Sequence, residues 1–173
     1  MQQPEPMSTA EPEADVAPTT GDEPQLRDLF SFSAGEATFA VFAEDVEATG
    51  EHSRAAKLPN APPAVLGIVS VRGRMVTTLD PVALTNGGRR EWPGELPCVV
   101  ALRGDEQLAL AADSLGETIT IASADIEPNV ETGDSNQAIL GIARHGGQEI
   151  IVFNKANLFS AAVRRRERRR RRF

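Results

Sequence analysis

Apolar and polar residues alternate along most of the chain after an initial polar stretch. Phe30 and Phe32 alternate with serines, a turn follows at Gly35, and Phe39 and Val41 resume the alternation. An apolar residue at every second position places one face of a strand in a core, and glycine permits a tight turn. This stretch therefore predicts a β-hairpin.

Three further hairpins follow the same rule. In the segment CVVALRGDEQLALAAD, apolar residues flank Gly104-Asp105. Two segments that begin with Leu-Gly-Ile turn at Arg72-Gly73 and at Gly146-Gly147. Four glycine-centred hairpins predict an all-β body.

Helical periodicity is limited to short stretches. We expect short helices at Asp45–Gly50 and after Ser123, where Ser-Ala-Asp-Ile can cap a turn. The end of the chain, from Asn157 through its arginines, is also compatible with a helix.

The all-β body repeats itself. An offset of 69 residues aligns Gly35 with Gly104, and an offset of 74 aligns Leu66-Gly67-Ile68 with Leu140-Gly141-Ile142. The difference between the offsets fits a longer loop at residues 131–137. Chance matching of two β segments is the alternative, but the ordered agreement of turns and apolar positions favours two similar barrels. Because a half of about 65 residues is marginally stable alone, we expect the barrels to share a core.

Charge separates the two ends of the chain from its body. Residues 1–24 are rich in Pro and carry six acidic groups and no basic one, which predicts a disordered tail. Residues 164–173 carry eight arginines and one glutamate. The net charge of −7 is therefore the sum of an acidic body and a basic tail. Within a body of residues 25–163, we place the first barrel at about residues 29–90 and the second at about residues 95–160.

Composition indicates a soluble cytoplasmic protein. The single cysteine, Cys98, excludes an internal disulfide and a cysteine metal cluster. No apolar run approaches the roughly 20 residues that span a bilayer. The acidic, Pro-rich N-terminus is unlike a signal peptide.

Candidate catalytic residues are few. His52 and His145 lie in polar stretches outside any recognisable motif, and we expect both to be solvated loop residues. Cys98 begins an apolar strand, so a buried and unreactive thiol is favoured over a nucleophile. The chain has no phosphate-binding loop and no metal-ligand spacing. We therefore expect no enzyme activity, no cofactor and no metal.

Three polar or aromatic residues have two interpretations each. Trp92, between the halves, is favoured as an anchor of the junction over part of a partner surface. Asp80 and Asp113 each follow an apolar strand, where a cap or turn role is favoured over a charged contact beside a groove.

Arg72 lies at the tip of a predicted glycine hairpin in an acidic protein. It is either a solvated turn residue or a guanidinium presented to a carboxylate of a partner.

The arginine tail has candidate partners in nucleic acid, anionic membrane, an acidic protein and the chain's own acidic regions. A solubilising tail without a dedicated partner is the alternative. The tail arginines are Arg164, Arg165, Arg166, Arg168, Arg169, Arg170, Arg171 and Arg172.

The segment LPNAPPAVLGIVSVRGRMVTTLD, residues 58–80, resembles the signature of the CheW family of chemotaxis coupling proteins. In the second half, LALAADSLGETITI and AILGIARHGGQEIIVFNKANLF resemble further family segments. The similarity covers roughly residues 28–160 and leaves both tails outside.

The resemblance implies two intertwined five-stranded, SH3-like barrels. It also implies a non-enzymatic signalling adaptor that couples the tip of a methyl-accepting receptor to the regulatory domain of a CheA-type histidine kinase, at membrane-associated receptor arrays. The receptor hairpin would dock in a groove between the barrels. Carried over by motif, the receptor-binding positions are Val46, Gly67, Arg72 and Gly73.

The chain departs from the family pattern near this surface. Ala48 stands where the family commonly has Glu, and whether Glu47 or Glu51 substitutes stays open. Ser70-Val71 replaces Asn-Leu before Arg-Gly, and Pro81 rather than Leu follows an aspartate. These differences indicate a divergent member.

Overall fold

The computed structural model describes residues 23–88, 90–129 and 137–170, with side chains as far as Arg164. The all-β prediction is confirmed. The strands are β1 (Leu26–Ala34), β2 (Ala37–Phe42), β3 (Val46–Arg54), β4 (Val65–Val71), β5 (Arg74–Leu79), β6 (Glu95–Leu102), β7 (Leu108–Ala112), β8 (Ser114–Ala122), β9 (Glu127–Pro128), β10 (Ile139–His145) and β11 (Gln148–Phe153). The helices are α1 (Pro81–Asn86) and α2 (Leu158–Arg170).

The strands form two sheets that exchange hairpins between the halves of the chain. One sheet has the order β8-β1-β2-β11-β10-β9, and the other has the order β3-β6-β7-β5-β4. The predicted ranges 29–90 and 95–160 therefore do not coincide with the sheets. The reason is that β2 pairs in parallel with β11, and β7 pairs in parallel with β5, so each hairpin joins the other half.

The internal repeat is reproduced in strand register. In the hairpin β4–β5, Val65 pairs with Leu79, and in β10–β11, 74 residues later, Ile139 pairs with Phe153. Both hairpins have an irregularity one step further on, at Gly67 and Gly141 respectively. The two halves are therefore copies of one strand arrangement.

The two sheets share the central hydrophobic core. Strands of both sheets and both α-helices contribute to it, and Phe39 stacks at its centre between Phe32 and Phe153, with ring centroids 5.9 and 5.3 Å away. Each sheet also encloses a smaller apolar cluster of its own, around Val99 in one and Val152 in the other. The predicted architecture of two small barrels with a shared core is confirmed.

The helix predictions had mixed outcomes. The helix expected at Asp45–Gly50 is wrong, because only Ala43–Asp45 forms a 3₁₀ turn and the following residues pair as β3 with β6. A 3₁₀ turn at Ser123–Asp125 and helix α2 confirm the other two predictions. Within the described residues, no helix combines the length and apolarity needed to cross a bilayer.

Helix α1 was not predicted, although its signals are present in the sequence. The Asp80 side chain accepts a hydrogen bond from the backbone N–H of Val82, and Pro81 occupies the first turn. Gly87 ends the helix with a φ of +75°, where glycine is unstrained. The cap role of Asp80 is confirmed.

Candidate functional site

The candidate site is centred on the tip of the β4–β5 hairpin, where Arg72 and Gly73 form the turn. Their φ angles are +49° and +80°, the pattern of a type I′ turn, which needs positive φ at both central residues. In the equivalent turn of the second half, Gly146 and Gly147 have φ angles of +59° and +80°. A left-handed conformation costs a non-glycine residue about 1 kcal/mol. Arg72 therefore stands where the chain's own repeat uses glycine.

The tip presents a free cation beside a neutralised one. Arg72 is exposed, and its side chain has no ion-pair partner among the residues that the structure describes. Arg74, by contrast, forms an ion pair with Glu47 of β3. The contact joins two elements that lie 27 residues apart in the chain. It brings the start of β3 to the base of the tip.

Apolar surface lies next to these charges. The Met75 side chain is 58% exposed. Val46, which precedes Glu47, is half-buried and packs against the shared core. The tip thus combines an exposed guanidinium with apolar atoms, which suits a partner that offers a hydrophobic face and a carboxylate.

The structure does not bring all four predicted receptor-binding residues together. Arg72 and Gly73 form the tip, and Val46 precedes the Glu47 that pairs with Arg74. Gly67 is buried near the start of β4. A Cβ atom on Gly67 would lie 2.5 Å from the backbone oxygen of Ala56. This residue is glycine because another strand segment crosses there, and its receptor role stays a prediction.

The departure at Ala48 has a structural counterpart. Ala48 packs against the apolar cluster inside the five-stranded sheet, so the acidic group beside the tip is Glu47. Glu51 is exposed further along β3 and has no ion pair with the tip within the described residues. The sequence alone does not distinguish Glu47 from Glu51, since the choice depends on which strands close the barrel.

A second polar cluster holds the junction between the sheets. The Arg90 guanidinium donates to both Asp113 carboxylate oxygens, at 2.7 and 2.8 Å, and stacks 4.3 Å from the centre of the Trp92 ring. Asp113 also accepts from the backbone N–H of Gly35, at 2.8 Å. Trp92 packs against the shared core and the cluster of the five-stranded sheet, which confirms it as a junction anchor.

The environment shifts the pKa of both junction carboxyls, in opposite directions. The hydrogen bonds from Arg90 hold the pKa of Asp113 below its usual value, while partial burial acts against them. Burial raises the pKa of Asp80, against the opposing effects of Trp92, the α1 N-terminus and Arg90. The Trp92 indole acts on Asp80 as a nearby donor, although its buried Nε1 has no partner at full hydrogen-bond geometry among the described residues.

The candidate catalytic residues lie apart from the tip. His52 and His145 are exposed, as predicted, but they belong to strands β3 and β10 rather than to loops, because each of these strands pairs antiparallel with a neighbour. Cys98 is buried in β6, and burial raises the pKa of its thiol, which makes the thiolate scarce. Among the residues that the structure describes, no three His, Cys, Asp or Glu side chains form a group that could hold a metal ion.

The basic tail continues from a helix packed on the body. Arg164 of α2 donates to the Gln137 side chain at 2.8 Å. The side chains of the other tail arginines lie outside the described residues, and so does residue range 1–22, where disorder was predicted.

The comparisons with known proteins agree on one family. The family model described as CheW-like domain matches residues 28–163. The chemotaxis protein CheW of Rhizobium meliloti (strain 1021) is 26% identical over 102 residues, which span 59% of this chain and 66% of that protein, just under two thirds of its length. The crystal structure of the scaffolding protein TtCheW from Thermoanaerobacter tengcongensis matches with a TM-score of 0.66 at 22% identity, over 83% of this chain and 94% of that one. At this identity, the structural match shows the fold alone.

Proposed function

Because the chain belongs to the CheW-like domain family, we propose that it is a non-enzymatic adaptor that couples a methyl-accepting receptor to a CheA-type histidine kinase. The related proteins, a chemotaxis protein and a scaffolding protein by name, support this class of role. The adaptor would work in the cytoplasm, at receptor arrays beneath the membrane. Its effect would be to hold the receptor and the kinase in one complex.

The observation that carries the receptor half of the proposal is the strained Arg72 at the tip. An arginine in the left-handed conformation lowers stability, so a role other than stability favours it at this position. Strained residues cluster at functional sites. The guanidinium is exposed, while its neighbour Arg74 is neutralised by Glu47. The tip therefore offers one exposed cation, without an ion pair among the described residues, on a defined turn.

The receptor signalling tip is a helical hairpin in the family that this chain belongs to. An amphipathic helix binds by laying its apolar face on apolar surface, with charged residues fixing its orientation at the rim. Here Met75 and Val46 supply the apolar surface and Arg72 the rim charge. By family resemblance, the first barrel would meet the kinase domain end to end, and in this structure the five-stranded sheet holds β3, β4 and β5 of that half.

Arg72→Glu tests the receptor contact. Reversing the charge at an exposed tip should weaken binding of a receptor signalling tip by about tenfold or more, since a desolvated charge pair becomes a repulsion. Kinase binding and the folded state should be unchanged. Calorimetric titration with each partner measures both affinities.

Arg54→Glu is the matched control, because it makes the same charge change at an exposed residue at the other end of β3 from Val46. It should leave receptor affinity near the wild-type value. Equal weakening by both variants would show only a net-charge effect. Wild-type affinity in Arg72→Glu would contradict the role of Arg72.

A further inference from the structure

Helix α2 has a buried side and an exposed apolar side. Leu158 and Ala162, one turn apart, are 0% and 1% exposed and belong to the shared core. Phe159 and Val163, also one turn apart, are 50% and 40% exposed. Residues four positions apart lie on the same side of a helix. Two large apolar side chains therefore form one patch that faces solvent.

The apolar patch adjoins the most basic segment of the chain. Eight arginines and a single glutamate occupy residues 164–172, and the α2 backbone continues as far as Arg170. The helix has 13 residues and is about 20 Å long. After Val163 the next apolar residue in the sequence is Phe173, so residues 164–172 are all charged.

The base of this helix is fixed to the body. Besides Leu158 and Ala162 in the core, the Asn157 side chain donates to the Gln137 backbone oxygen at 3.1 Å, and Arg164 donates to the Gln137 side chain. The apolar patch and the first arginine are thus held in a constant orientation relative to the two barrels. A partner of α2 would be held in that orientation as well.

We propose that α2 binds the surface of an anionic lipid bilayer, with Phe159 and Val163 in the interface and the arginines on the headgroups. Charge complementarity allows either a bilayer or a nucleic acid, because both present phosphates. The exposed Phe–Val pair distinguishes them, since apolar side chains beside basic residues gain free energy in a membrane interface. A phosphate backbone offers an aliphatic valine no such gain. This proposal uses none of the residues assigned above to the receptor contact.

Vesicle flotation with the full-length chain tests the proposal. We expect binding to vesicles of phosphatidylcholine with about one third phosphatidylglycerol, and none to phosphatidylcholine alone. The double variant Phe159→Ser/Val163→Ser keeps every arginine and should lower the partition coefficient about tenfold. Leu26→Ser is the matched control, because Leu26 on β1 is 61% exposed and carries no arginine cluster beside it.

A second variant isolates the arginines. Replacing Arg168, Arg169 and Arg170 by glutamine should also reduce vesicle binding by about tenfold or more, and raised salt should do the same to the wild type. Circular dichroism checks that each variant is folded. Wild-type vesicle binding by the double serine variant would overturn the proposal. So would absence of vesicle binding, and so would duplex DNA binding with no binding to vesicles.

Discussion

Arg72 occupies a backbone conformation that glycine adopts without strain. Its φ is +49°, and its counterpart in the repeat is Gly146 at +59°. The two turns are otherwise matched, since Gly73 and Gly147 both have a φ of +80°. The central residues of the two turns therefore differ by one arginine, which is retained at a cost in stability.

Arg72→Gly should separate stability from binding. Removing the strained residue should raise the free energy of unfolding by about 1 kcal/mol, as measured by urea denaturation. The same change should weaken binding to a receptor signalling tip, because the guanidinium is lost. A variant that is both less stable and fully competent for binding would contradict this assignment.

Asp113 links the loop after α1 to the first hairpin turn. Its folded-state pKa is depressed, so its carboxylate form stabilises the fold. That contribution is complete above the unfolded pKa of about 3.9 and is lost as the pH falls through the folded pKa. Asp80 has the opposite sign: its raised pKa means that its contribution falls as the pH rises through the interval between the two values.

Asp113→Asn should destabilise the protein by about 1 kcal/mol at pH 7, because Arg90 loses a bidentate partner at a partly exposed site. The Gly35 N–H keeps an acceptor. Denaturation at several pH values should show the difference from wild type shrinking below pH of about 4. Asp105→Asn, on an exposed loop, is the control. A difference that is independent of pH would exclude the charge pair as its source.

At the scale of elements, two glycines allow strands to cross closely. A Cβ on Gly67 would lie 2.5 Å from the Ala56 oxygen, and one on Gly141 would lie 2.4 Å from the Glu127 oxygen. Both glycines occur at the irregular step of their hairpins, opposite Thr78 and Val152. The shared Leu-Gly-Ile motif is therefore explained by strand crossing in each barrel.

Gly67→Ala and Gly141→Ala should each lower the free energy of unfolding by about 2 kcal/mol or more, because the added methyl group meets backbone oxygen rather than a movable side chain. Gly94→Ala is the matched control, since its added Cβ would meet no atom within 4 Å. Thermal and urea denaturation measure all three. If Gly67→Ala is as stable as wild type, the close crossing does not account for the motif.

The elements were predictable where the signal is local. Alternation and turn glycines located the hairpins, since a period of two and a positive φ are properties of short segments. The acidic stretch Asp45–Gly50 was assigned to a helix, but pairing of β3 with β6 overrides local preference there. The Asp-Pro start and Gly end of α1 are local signals of a helix, although α1 was not predicted.

At the scale of the whole molecule, the repeat and the shared core were predictable, but the exchange of hairpins was not derivable from the alternation pattern. That pattern states which face of a strand is buried and does not state which strand lies beside it. For the same reason the Glu47–Arg74 and Arg90–Asp113 pairs were missed, because each joins residues more than 20 positions apart. Motif resemblance located Arg72 and Gly73 at the tip, but it could not show that Gly67 is buried.

Simultaneous binding of both partners is the central requirement of an adaptor. The most direct measurement is calorimetric titration of a receptor signalling tip into the full chain, with and without a saturating kinase regulatory domain. We predict that the folded chain binds each partner alone and binds the receptor tip with similar affinity when the kinase domain is present. Failure of the folded chain to bind either partner, or mutual exclusion of the two, would contradict the adaptor function.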